Sequence, residues 1–128
     1  MDRNAGVLAC GMRYSIEMRE GYVRAEMLER ETPEETREFG EALFAEVQAK
    51  AASRVLVLVR SSRPIFRVEE YRLSGFLECM PGVKVAVVSD SRELAAAHEY
   101  VQLIASQRGI ALHAFPTEQS ALEWLLHE

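Results

Sequence analysis

Read as a pattern of apolar and polar positions, the chain changes period several times. From Met12 to Met18 it alternates, with Met12, Tyr14, Ile16 and Met18 on one side and Arg13, Ser15, Glu17 and Arg19 on the other. Side chains of an extended backbone point to opposite faces in turn, so this reads as a strand with one face in water. Glu20-Gly21 turns the chain, and Tyr22 to Leu28 alternates again, Val23, Ala25 and Met27 against Arg24 and Glu26. Two alternating runs joined this closely predict an antiparallel hairpin.

The period then lengthens. Thr32-Pro33-Glu34-Glu35 combines a hydroxyl N-cap, a proline at the first helical position and a glutamate at capping-box distance, three signals that start a helix. The helix is expected to run to about Ala52, with Phe39, Leu43, Val47 and Ala51 on one stripe, Gly40 and Phe44 beside it, and Glu34, Glu38, Glu41 and Glu46 on its solvated side. Next comes Val55-Leu56-Val57-Leu58-Val59, closed by Arg54 and Arg60. A branched aliphatic run without polar interruption cannot turn one face to water, so it predicts a strand covered on both sides.

A second helix is expected over about Val68 to Met80, where Leu73, Phe76, Leu77, Cys79 and Met80 spread over an arc of about 160°, wider than the ~100° stripe of a single packing face. Pro81-Gly82 breaks it, and Val83 to Val88 is a second buried strand. Asp90 or Ser91 caps a third helix, with Glu93 at capping-box distance from Asp90 and Gly109 at its end. Its stripe is expected to hold Leu94, Ala97, Tyr100, Val101, Ile104 and Ala105, with His98 on the rim. Ile110 to Phe115 is the last strand, and Thr117 caps a short final helix burying Ala121, Leu122 and Leu125, with Trp124 at its edge.

The order β-β-α-β-α-β-α-β-α predicts an α/β domain over residues 12–128, preceded by an N-terminal segment, residues 1–11. Strands alternating with helices pair in parallel through right-handed crossovers, so the expectation is a five-stranded mixed sheet whose last four strands are parallel. The 128 residues suit one domain, and 48% apolar with 27% charged residues is ordinary for a globular chain. A net charge of −5 argues against nucleic acid, whose phosphates require a concentrated positive field. Cys10 and Cys79 form no Cys-x-x-Cys pair and are expected to be reduced thiols of a cytoplasmic protein. Val7-Leu8-Ala9-Cys10 lacks the basic start and apolar core of a signal peptide, so an unprocessed N-terminus is expected, and no run approaches the ~18 to 20 apolar residues of a membrane span.

This element order resembles the STAS superfamily, and more narrowly the small bacterial SpoIIAA-like proteins. The residues that carry the resemblance are the Val83 to Asp90 strand and cap and the terminal Phe115-Pro116-Thr117-Glu118-Gln119-Ser120-Ala121-Leu122-Glu123-Trp124-Leu125. The resemblance implies a SpoIIAA-like sheet and a regulatory protein whose phosphorylatable serine follows an aspartate at the start of the helix after the central strand. Here that pair falls near Phe66 and Arg67, neither of which is Asp or Ser, so the phosphorylation switch is not carried over. A similar arrangement in CRAL-TRIO lipid-transfer domains implies the alternative of a carrier for a small apolar or lipid-like ligand.

Parallel strands bring three loops together at their carboxyl ends, where open α/β sheets bind ligands and helix N-termini point amides outward. The candidate ligand or anion edge is Ser61, Ser62, Arg63, Arg67, Ser89, Asp90 and Ser91, with Arg60 adding charge. The plainer reading of the same residues is serines and Asp90 capping helices and arginines paired with Asp90, Glu69 or Glu70. Ile65, Phe66, Leu73, Phe76, Leu77 and Met80 form a candidate interface for a homodimer or a protein partner. No His-x-x-x-His, serine elbow or glycine-rich phosphate loop is present, so no catalytic residue, metal or cofactor is assigned. The expected function is a non-enzymatic binding or regulatory module; a ligand carrier comes second and an enzyme at the strand edge third.

Overall fold

The computed structural model describes residues 4–7, 13–29, 32–62, 82–107 and 109–127. Its strands are β1 (Asn4–Val7), β2 (Arg13–Arg19), β3 (Tyr22–Leu28), β4 (Arg54–Arg60), β5 (Lys84–Ser89) and β6 (Leu112–Phe115). The helices among the described residues are α1 (Pro33–Lys50), α2 (Arg92–Gln107) and α3 (Glu118–Leu125). The expected helix over Val68 to Met80 lies outside the described residues.

The sheet runs β1-β2-β3-β4-β5-β6 in spatial order. The hairpin β2–β3 is antiparallel, and β3, β4, β5 and β6 are mutually parallel. The five strands read from the sequence thus form the mixed α/β sheet expected of them. One strand is added: Asn4–Val7, expected to lie ahead of the domain, pairs antiparallel with β2, Asn4 opposite Ile16.

The period of two sorts each strand onto two packing layers. Odd positions of β3, β4 and β5, among them Val23, Ala25, Val55, Val57, Val85 and Val87, meet Phe39, Leu43 and Val47 of α1 and Leu94, Val101 and Ala105 of α2. Even positions, Leu56, Leu58, Ala86 and Val88, meet Ala121 and Leu125 of α3 on the opposite face, with Tyr22 beside them. Val55 to Val59 are all buried, as a strand covered on both sides must be.

α1 starts as its residues dictate. Glu35 N–H donates to Thr32 Oγ1 at 3.3 Å, and Thr32 N–H donates back to Glu35 Oε1 at 3.0 Å, a closed capping box. The helix ends at Lys50 rather than near Ala52. Ala51 is its left-handed cap, φ 53°, and is exposed rather than on the buried stripe.

Three further expectations are corrected. Met18 is 44% exposed although Val23 opposite it is buried, because β1 pairs with β2 only as far as Ile16 and leaves the outer side of the hairpin at Met18 unflanked by that strand. Tyr100 is exposed and His98 buried, the reverse of the expected order. With a rotation of 100° per residue, His98 stands about 40° from Leu94 and Tyr100 about 120° away, so the true stripe is Leu94, Ala97, His98, Val101 and Ala105.

Candidate functional site

The parallel register brings the carboxyl ends of β4, β5 and β6 to one edge, Val59 beside Ser89 and Val88 beside Phe115. Each strand leaves through a loop whose polar side chains organise backbone. Ser61, the first residue after β4, has φ 50°, a left-handed conformation that a residue with a Cβ adopts at some cost. Its N–H donates to Asp90 Oδ2 at 2.9 Å, which ties the β4 exit to the β5 exit. Ser62 Oγ donates to the Arg60 carbonyl at 2.9 Å, closing the same turn.

After β5, Ser91 rather than Asp90 caps α2: its Oγ accepts Leu94 N–H at 3.2 Å and its carbonyl accepts Ala95 N–H at 3.0 Å. Asp90 is thereby left to hold Ser61, and Glu93 is not the box residue of this cap. After β6, Thr117 Oγ1 accepts Ser120 N–H at 3.1 Å and starts α3. Between the β5–α2 loop, the first turns of α2 and the end of β6 lies a cleft of about 490 Å³. Ser89, Asp90 and Ser91 line it together with Arg92, Glu99 and the apolar wall of Ala95, Ala114, Phe115 and Pro116.

Of the residues expected at this edge, Ser89, Asp90 and Ser91 share the cleft, and Ser61 joins them through the bond to Asp90. Ser62 closes the turn at Arg60. Arg63 and Arg67 lie outside the described residues, as do the candidate interface residues Ile65, Phe66, Leu73, Phe76, Leu77 and Met80. Arg60 is not available to the edge. Its Nε donates to Glu26 Oε2 at 2.6 Å and its guanidinium lies 3.9 Å from Glu118, while Arg24 pairs with the same two carboxylates at 3.6 and 3.3 Å. This half-buried network of two arginines and two glutamates sits on the α3 face and pins the start of that helix to β3 and β4.

Arg92, Glu99 and Phe115 were not among the residues expected at this edge, whereas Pro116 belongs to the third of the loops expected there. The helix period could have found the first two, since residues 92, 95 and 99 fall on one face of α2. Among the described residues, no group of three or more His, Cys, Asp or Glu side chains is placed to hold a metal ion, and no helix is long and apolar enough to cross a membrane.

Neither the protein-family models nor the curated proteins include a match to this chain. Among solved structures, an anti-sigma factor antagonist from Mycobacterium paratuberculosis superposes with a TM-score of 0.65 at 15% sequence identity, over 94% of this chain and 99% of that one. The likeness spans nearly the whole of both chains, and the fold of this chain, a mixed sheet with four parallel strands and helices on both faces, is the STAS, SpoIIAA-like fold.

Proposed function

We propose that this chain is a non-enzymatic regulatory module that works by docking a protein partner at the carboxyl edge of its parallel strands. The observation that carries the reading is the likeness over nearly the whole chain to a protein that acts as an anti-sigma factor antagonist. The cleft at the β5 and β6 exits supports the placement, because it is walled by apolar side chains and framed by polar groups on rigid elements, the composition of a recognition site. The caps at Ser91 and Thr117 fix the starts of α2 and α3, so little ordering of these two exits would be needed on binding.

Native mass spectrometry of the protein isolated from its own cells tests this. The reading predicts a complex of defined stoichiometry, with a different protein or with a second copy, that is lost in Ala95→Arg, a substitution that fills the cleft from the exposed side of α2. A monomer in both cases contradicts it, and a monomer carrying a small apolar ligand favours the carrier instead. The interface read from Ile65 to Met80 has a separate check: Phe66→Glu would convert a sedimenting dimer to a folded monomer.

A further inference from the structure

β6 is the last strand in the order of the described sheet, bonded on one side to β5. Val85 N–H donates to the Ala111 carbonyl at 2.8 Å, and Val85 stands opposite Leu112. In a parallel pair one residue bonds to the two that flank its partner, so the backbone of Ala111, His113 and Phe115 turns toward β5. The backbone of Leu112, Ala114 and Pro116 turns outward. Free outward donors are what a further strand pairs with, and charged side chains are a common way to discourage it. Ile110 to Phe115 contains no Lys, Arg, Asp or Glu.

Each outward position is nevertheless closed. Leu112 N–H donates to the Ile110 carbonyl at 3.0 Å. Ala114 N–H donates to Gln102 Oε1 at 2.8 Å. Pro116 has no N–H to offer. The first and third closures belong to the strand's own backbone, whereas the second is supplied by a side chain of α2. Gln102 is one residue past Val101 of the buried stripe and stands half-buried on the flank of the helix, from where its long side chain reaches the strand. The central donor of the edge thus depends on one side chain.

From this accounting we infer that Gln102 keeps β6 closed to strand addition, its side-chain carbonyl filling the place that a backbone carbonyl of another strand would take. The strand it excludes is the β6 of a second copy. Across a two-fold axis the two β6 strands run antiparallel and bring the same uncharged stretch together, with no like charges to hold them apart. Assembly of the wild-type chain then uses surfaces other than this edge. The inference stands apart from the docking reading above, since it concerns the side of the sheet and not the ends of its strands.

Three variants of the full-length protein test it. Gln102→Leu removes the acceptor at similar size, Gln102→Asn shortens the side chain, and Gln102→Glu keeps an oxygen at the same reach. Amide exchange of Ala114 is read by NMR at low concentration, and sedimentation velocity is read over a wide range of concentration. In Gln102→Leu and Gln102→Asn the Ala114 N–H should exchange about three- to tenfold faster than in the wild type, as expected for the loss of one hydrogen bond. Both should also gain an association step that the wild type and Gln102→Glu lack, with Ala114 protected again in the associated form. Because Gln102 is half-buried and two variants remove the contact by different routes, the test does not hang on the folding of one. Wild-type exchange at Ala114 in both, faster exchange without added association at any concentration, or association that leaves Ala114 exchanging freely overturns the inference. The same association in Gln102→Glu overturns it too, since the acceptor would then not be what holds the edge closed.

Discussion

Ser61 and Ala51 hold left-handed backbone without being glycine, and the two positions serve different ends. Ala51 only closes α1, where it is exposed and its N–H reaches back to the carbonyls of Gln48 and Val47. Ala51→Gly should therefore stabilise the fold by about 0.5 to 1 kcal/mol, the left-handed penalty less the added freedom of the unfolded chain, read as a higher urea midpoint. Ser61 is held by Asp90, so the corresponding loss comes from the partner. Asp90→Ala leaves the Ser61 N–H without its acceptor and should cost about 0.5 to 1.5 kcal/mol, whereas Asp90→Asn should cost less. A fully wild-type midpoint in Asp90→Ala would show that the bond does not hold the β4 exit.

Elements were legible in the sequence wherever their signals were local. Thr32, Pro33 and Glu35 specify the start of α1 within four residues, and the capping box is formed as read; Thr32→Ala should cost about 1 kcal/mol, measurable by thermal or urea unfolding. The network joining Arg24, Glu26, Arg60 and Glu118 was not legible, because Arg24 and Glu118 are 94 residues apart and their meeting depends on where α3 docks. Strand parity alone placed Arg24 and Glu26 on one face. α3 has a second fastening at its other end, where Lys84 Nζ donates to the carbonyls of Trp124 and His127 at 2.9 and 3.1 Å and lies 4.4 Å from the Trp124 ring centroid. Lys84→Met should speed amide exchange in α3 while leaving α1 and α2 unchanged. β6 shows how a sheet edge is protected: Gln102 Oε1 accepts the Ala114 N–H at 2.8 Å, occupying a donor that could otherwise pair with another strand. No pattern in Asn4-Ala5-Gly6-Val7 announced β1, since four residues with a glycine carry no readable alternation.

At the scale of the whole molecule, the aliphatic runs at β4 and β5 fix the architecture and bring the strand exits to one edge. Val57 is 8% exposed under the α1 and α2 layer, so Val57→Asp should unfold the domain: an unpaired buried carboxylate costs several kcal/mol against a total stability of about 5 to 15. Topology drew the carboxyl edge from the sequence, and the β4, β5 and β6 exits do meet there; Arg60, expected to add charge to that edge, is instead committed to Glu26 and Glu118, because side-chain commitments across strands are settled only once the layers pack. We propose that this edge, rather than the acidic side of α1 or the outer strand β1, meets the partner. Amide hydrogen exchange on the native complex, compared with the free protein, tests it most directly. Docking at this edge concentrates protection at residues 89–95 and 114–117; protection on α1 or β1, with those two stretches exchanging as in the free protein, would put the partner elsewhere.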